Sequence, residues 1–310
     1  ILLFASATRG FKSGGWNARG TTANELLPFG PETAWSYEAG TKTQFLDNRV
    51  RLNVTGFWLD VGGLQTPSAF IRANGALAFI TRNFADYRNK GIEVELTTVP
   101  VDGLNLFAAV GYQEDKYLID RNAAPLDPFG VQSVAAQQAA CLAQLAAGRI
   151  PNATVAGDNA ASCGVGIVAP DGSIAEPVRT PDWTVSLGIS YDLDLGGATL
   201  VPAVNANWRS KSEVGTSQVT FYDGDIRGLS GTLYPSNTLG QGSLINPITG
   251  SFSDARWIVN ASLTLKLDAG ISLVAECKNC FDEEAVESSL ANYSYLNSPR
   301  SWMLRAKFDF

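Results

Sequence analysis

Apolar and polar residues alternate along this chain in repeated short runs. From Trp183, the residues Val185, Leu187, Ile189, Tyr191 and Leu193 alternate with Thr184, Ser186, Gly188, Ser190 and Asp192. From Trp257, Val259, Ala261, Leu263, Leu265 and Leu267 alternate with Ile258, Asn260, Ser262, Thr264 and Lys266. Trp35, Tyr37, Ala39, Thr41, Thr43 and Phe45 are set against Ser36, Glu38, Gly40, Lys42 and Gln44. At the end, Trp302, Leu304, Ala306, Phe308 and Phe310 alternate with Ser301, Met303, Arg305, Lys307 and Asp309. A period of two puts successive side chains on opposite faces of a strand. Weaker alternation covers 2–10, 49–64, 79–98, 104–117, 198–211 and 271–279. The expectation is ten strands and an all-β fold.

The connections sort by length. Asp47-Asn48, Pro100 to Gly103, Asp194 to Gly197 and Asp268 to Gly270 are tight turns. Residues 11–32, 65–78, 118–180, 212–254 and 280–298 are long and polar. Short and long strictly alternate, as in an antiparallel up-and-down membrane barrel with short periplasmic turns and long outer loops. A soluble sandwich has no reason to sort its loops by parity.

Aromatic placement agrees. Trp35, Trp183, Trp257 and Trp302 stand near the starts of strands that follow long loops, and Trp58 and Trp208 near the ends of strands that lead into one. Six of seven tryptophans thus fall at the long-loop level, as an interfacial girdle requires. Phe45, Tyr191 and Phe310 mark the other level. Eight to ten residues between levels, at about 3.3 Å each and a tilt near 40°, span roughly 20–25 Å, the height of an outer-membrane apolar band.

Composition narrows the class. Charged residues are 17% of the chain, below the usual quarter of a soluble domain. No run approaches about 20 apolar residues, so no transmembrane helix is encoded. No signal peptide is visible either. The opening "ILLFASATRGF" lies inside a strand pattern and reads as a cut or an unseen front half. A net charge of −7 without a basic stripe argues against nucleic acid. The absence of histidine removes Ser-His-Asp and Cys-His catalysis and histidine metal sites. The chain is therefore expected not to be an enzyme, and no cofactor or metal centre is expected.

Four stretches resemble the C-terminal half of TonB-dependent outer-membrane receptors. They are "RGFKSGGWNARG" (Arg9 to Gly20), the hairpin from Pro31 to Gln65 with its YE-x-G-x-K run and DNR turn, "NKGIEVEL" (Asn89 to Leu96) and "CKNCFDEE" (Cys277 to Glu284). The resemblance implies a 22-stranded barrel around an N-terminal plug, of which residues 1–310 would be the C-terminal portion, about ten strands. Residues 118–180 would be a long extracellular loop. The plug and the TonB box have no counterpart among these residues. The implied function is to bind a scarce nutrient, siderophore-bound iron or another small ligand, and import it with energy from the TonB–ExbB–ExbD complex. Outer-membrane lipid and lipopolysaccharide would surround the wall. Two alternatives are a passive ten-strand porin, which needs its first and last strands paired, and a structural component of an envelope complex.

Candidate ligand contacts in the outer loops are Trp16, Asn17, Tyr222, Asp223, Asp225, Arg227 and Tyr293, against the alternative of solvated loop residues. Cys141 and Cys163, twenty-two positions apart in the longest loop, are expected to form a disulfide rather than remain free thiols. Cys277-x-x-Cys280 lacks the strand-to-helix context of a redox motif and the further ligands of zinc, so a local disulfide is expected. Val131 to Arg149 is the only helix-compatible run, either a lid or loop packing. The inward-facing charges Glu38, Lys42, Glu93, Glu95, Arg305, Lys307 and Asp309 are expected to solvate a lumen or hydrogen-bond a plug.

Overall fold

Ten long strands form one antiparallel sheet in the computed structural model of the protein, which describes residues 1–18, 20, 26–71, 77–83, 85–125, 133–146, 167–168, 174–214, 226–227, 233–234, 252–290 and 293–308. They are β1 (Leu2–Lys12), β2 (Glu32–Phe45), β3 (Val50–Gly62), β4 (Asp86–Thr98), β5 (Leu104–Leu118), β6 (Trp183–Tyr191), β7 (Ala198–Arg209), β8 (Arg256–Leu267), β9 (Ile271–Lys278) and β10 (Ser301–Phe308). Each pairs with the next in the chain, and a short extension at Leu193–Asp194 also pairs with β7. β1 and β10 are the two edges of the sheet, unpaired with each other among the described residues. The wall is an open arc, not the closed ring that a ten-strand porin needs.

Turn chemistry explains the short side. In the turn between β2 and β3, Leu46, Asp47 and Asn48 have φ of 53°, 53° and 65°. Gly103 and Gly270 supply φ of 83° and 77° in two of the others. The alternation expected over 79–98 divides: Leu77–Asn83 pairs with Gln65–Ile71 as a separate hairpin, and β4 begins at Asp86. Period two persists wherever backbone stays extended, so it cannot mark where a chain leaves the main sheet. In the longest loop, α1 (Val134–Ala146) is capped by Ser133, whose Oγ accepts from the Ala136 N–H at 3.3 Å. It packs with Ile167 and Val168 against Tyr117 and Ile119 at the end of β5. These contacts seat the helix at the loop's base, against the end of β5.

Directly opposed residues share a face. On one face the register aligns Leu52, Leu96 and Ala108, and Leu265 with Leu273. On the other face stand Glu38, Asn53, Glu95, Ser186, Asn207 and Asn260. The tryptophans ride on the apolar face as a staircase. The hydrogen-bonded row through Trp183 crosses Tyr112, Ile92 and Gly56 to Ala39, four residues below Trp35. The row through Trp302 crosses Cys277, Ala261 and Val204 to Ile189, six residues below Trp183. Ten residues of drop over the eight steps from β2 to β10 give 1.25 residues per strand. Aromatics at one interfacial height, about 3.3 Å per residue and about 4.8 Å between strands then incline the strands by roughly 40°, the tilt of a transmembrane barrel.

On the polar face, three phenylalanines lie directly opposite glycines: Phe4 and Gly40, Phe57 and Gly91, Phe107 and Gly188. A Cβ added at Gly40 would stand 2.8 Å from the Phe4 ring, and one at Gly91 would stand 2.6 Å from the Phe57 ring. In these two pairs the ring covers the bare backbone of its glycine, which a methyl group would displace, whereas at Gly188 a Cβ would meet Phe107 no nearer than 3.5 Å. Gly91→Ala, which also drives into the Tyr112 carbonyl, is expected to destabilise the barrel by about 1–3 kcal/mol. Gly56→Ala, with no atom nearer than 3.9 Å, serves as the comparison. Urea-unfolding midpoints in lipid vesicles check this, and equal midpoints for the two variants would contradict it.

Candidate functional site

Arg209 follows Trp208, and Arg256 precedes Trp257. Trp208 and Trp257 are opposed on the apolar face, with ring centroids 6.4 Å apart. Strand alternation therefore turns both arginines inward at the long-loop end. There they are opposed to one another. Like charges in such a pair repel. Glu287, delivered by the loop over 279–300, answers both: its Oε1 lies 2.6 Å from Arg256 Nη2 and its Oε2 3.7 Å from Arg209 Nη1.

These residues line a cavity of about 720 Å³ between the inner faces of β6–β10 and their outer loops. Arg179 and Lys278 line it too, so among the described residues its walls carry four cations and one carboxylate. A neighbouring recess of about 310 Å³ shares Arg179, Arg209 and Glu287. The Arg256 side chain is 2% exposed, and its Nη1 donates to Ser253 Oγ. Its Nε is buried without a partner among the described residues. The cavity floor is amide-rich: Asn260 Nδ2 donates to Asn205 Oδ1 at 2.9 Å, and Ser186 Oγ to Asn207 Oδ1 at 2.9 Å. Excess positive charge over uncharged hydrogen-bonding groups suits a polar anion of small-molecule size.

The loop that brings Glu287 is fixed locally. Asn279, 4% exposed and at φ 47°, accepts at Oδ1 from the Glu283 N–H at 2.9 Å. Its Nδ2 donates to the Glu283 and Ser298 carbonyls at 2.8 and 3.2 Å. Asp282 Oδ1 accepts from the Arg300 N–H at 2.8 Å. The Cys277–Cys280 disulfide closes the start of the loop. The Asn and Asp of "CKNCFDEE" thus act as backbone staples.

Of the loop residues expected to touch ligand, Trp16 and Asn17 are described with their side chains, and neither lines this cavity. Trp16 is exposed, in a two-residue pairing with Pro28–Phe29. Asn17 is committed to structure: its Nδ2 donates to the Leu27 and Thr81 carbonyls and its Oδ1 accepts from the Thr81 N–H at 2.7 Å, tying two outer loops together. Tyr222, Asp223, Asp225, Cys163, Asp309 and Phe310 lie outside the described residues. For Arg227, Tyr293 and Cys141 only the backbone element is described. Among the inward charges, Glu95 accepts from Asn53 at 3.2 Å and Arg305 pairs with Glu276 at 3.1 Å, both away from the cavity. Arg179, Arg209, Arg256, Lys278 and Glu287 went unmarked in the sequence. The available signal was an arginine adjacent to a girdle tryptophan, which must face the lumen at that height.

Comparison with known proteins places the chain among receptors. The family described as TonB dependent receptor-like, beta-barrel matches residues 1–280. Among solved structures, the ferric yersiniabactin uptake receptor FyuA from Yersinia pestis aligns over 99% of this chain and 35% of its own, at 12% identity and a TM-score of 0.61. The siderophore receptor PiuA from Acinetobacter baumannii aligns over 98% and 33%, at 14% identity and a TM-score of 0.57. The ferric preacinetobactin receptor BauA from the same organism gives 99% and 34%, 15% and 0.56. The chain spans about a third of the length of these receptors.

Proposed function

We propose, from the premise that this chain belongs to the TonB-dependent receptor β-barrel family of the outer membrane, that it forms part of the wall of an active importer of an anionic nutrient complex. A siderophore-bound ferric ion is the favoured cargo, by analogy with the receptors it resembles in fold. The observation that carries the anionic preference is the paired Arg209 and Arg256 in the outer cavity, with Arg179 and Lys278 beside them. Energy would come from the TonB–ExbB–ExbD complex acting through a plug that is no part of these residues. A chelate entering from outside would meet the basic cavity first and exchange water for arginine and amide donors. Release to the plug would follow as force from the inner membrane rearranges it.

Uptake of radiolabelled ferric catecholates and hydroxamates by cells carrying the full-length receptor tests this. Saturable uptake that disappears on deletion of TonB is the expected result. Non-saturable flux that is indifferent to TonB would overturn it in favour of a passive pore.

A further inference from the structure

The smaller recess beside the cavity is built unlike its larger neighbour. Arg179 and Arg209 are common to both, but in the recess three serine hydroxyls, of Ser212, Ser253 and Ser288, replace the amides of the cavity floor. Ser212 and Ser253 are 5% and 1% exposed and directly opposed in a short antiparallel pairing. Ser253 Oγ accepts from Arg256 Nη1, which leaves its own O–H to donate. The charges are unequally matched. Glu287 is the one carboxylate lining the recess among the described residues, and Arg256 holds its Oε1 at 2.6 Å. Its Oε2 stands 3.7 Å from Arg209, an ion pair too long for a hydrogen bond. The Arg179 side chain has no carboxylate partner among the described residues.

Arg179 is also held in a costly backbone state. Its φ of 65° lies in the left-handed region, where glycine is at ease and a long side chain is not. Its N–H donates to the Glu213 carbonyl at 2.7 Å, and Thr180 Oγ1 donates to the Pro177 carbonyl at 2.9 Å, so the turn is fixed in that form. Non-glycine residues kept in this region by their surroundings cluster at ligand clamps and switch regions. The donors indicate what is clamped. Two guanidiniums, each presenting a pair of N–H groups, and three hydroxyls make about seven donors, against about four lone-pair sites on a carboxylate. A phosphate group carries at least three strong acceptor oxygens and matches paired guanidiniums well. A volume of about 310 Å³ admits such a group with bound water, beside a cavity of about 720 Å³.

We infer that this recess is a binding site for a phosphate-type oxyanion, either inorganic phosphate or the phosphate group of a small monoester. Arg179 and Arg209 clamp its oxygens, and the hydroxyls of Ser212, Ser253 and Ser288 donate to those that remain. Since both arginines also line the larger cavity, an occupied recess presents a less positive wall to an anion there. The recess is a site in its own right whether or not the larger cavity takes a ferric chelate. Phosphate binding and uptake can therefore fail independently.

Calorimetric titration of the purified full-length receptor, in detergent and phosphate-free buffer, is the test. Inorganic phosphate and glycerol 3-phosphate are separate titrants, and acetate is the control. Saturable binding of a phosphate species, about tenfold or more tighter than acetate, is expected, and the tighter of the two identifies the source. Arg179→Gly is expected to weaken it about 10- to 100-fold, as loss of a charge-assisted hydrogen bond does. Glycine suits the left-handed turn, and an unchanged heat-dependent gel shift verifies that the variant is folded. Ser212 lines the recess and not the larger cavity. Ser212→Ala is therefore expected to weaken phosphate about fivefold and to leave binding of a ferric catecholate unchanged. Absence of saturable binding, acetate binding as tight as phosphate, or equal affinity in Arg179→Gly would overturn the assignment.

Discussion

Arginine introduced at Leu263 is expected to cost the folded barrel about 2–4 kcal/mol, while the same residue one position earlier, at Ser262, leaves it close to wild type. Leu263 lies on the apolar face of β8, six residues beyond Trp257. At about 3.3 Å per residue and a tilt near 40°, that is roughly 15 Å below the tryptophan level, near the middle of a band about 25 Å high. No water is available there to solvate a guanidinium, and snorkelling cannot reach either interface cheaply. Ser262 points the other way, into the lumen, directly opposite Glu276. Urea-unfolding midpoints and the heat-dependent gel shift of the full-length receptor report the difference. Equal tolerance of arginine at both positions would mean that the face assigned to lipid is not against lipid.

Arg209→Gln is expected to weaken binding of an anionic ferric chelate by about 10- to 100-fold, the worth of one charge-assisted hydrogen bond. A neutral chelate of the same size should be affected little. Arg209 is the suitable probe because its side chain is 46% exposed, whereas that of Arg256 is 2% exposed and embedded in the loop packing. Glu287→Gln should act in the opposite direction. It removes the one carboxylate that lines the cavity among the described residues, so anion affinity rises while the opposed arginines repel. Raising the salt concentration should shrink both effects, since the cavity is open to solvent. Titration of ligand into the purified receptor distinguishes these outcomes. Parallel losses for neutral and anionic ligands in Arg209→Gln would indicate a steric role instead.

Much of the wall was legible because a barrel strand is local information. Trp183 to Tyr191 alternates along its whole length, and the structure makes it a strand of that extent. Turn residues such as Asp47 and Gly270 mark where β2 and β8 end. The boundary near Asp86 was not legible, because the Leu77–Asn83 hairpin partner is as strand-like as the wall beneath it. The cavity was hidden for a different reason. Glu287 is thirty-one positions from Arg256, and their meeting depends on how Asn279 and Asp282 fold the intervening loop. The hydrogen bonds by which Asn17 ties two outer loops were equally invisible, since they join it to Thr81, sixty-four positions away. Arg209 and Arg256 could have been found from their neighbours Trp208 and Trp257, by the same parity that turned Glu38 and Arg305 inward.

The phenylalanine–glycine pairs fall between β1 and β2, β3 and β4, and β5 and β6. These are three of the five strand pairs joined by long loops; the pairs joined by tight turns carry none. A turn of three to six residues dictates alignment by its own geometry, whereas a loop of nineteen or more residues leaves the incoming strand many ways to dock. The wall is in this sense a row of prefabricated hairpins, each complete in itself, with a phenylalanine–glycine key set into three of the seams between them. Between β7 and β8 the key changes material, to the Asn205–Asn260 hydrogen bond. Exchanging a hairpin for that of another receptor should therefore succeed or fail on whether the seam keys match, even where every turn and every girdle residue is retained.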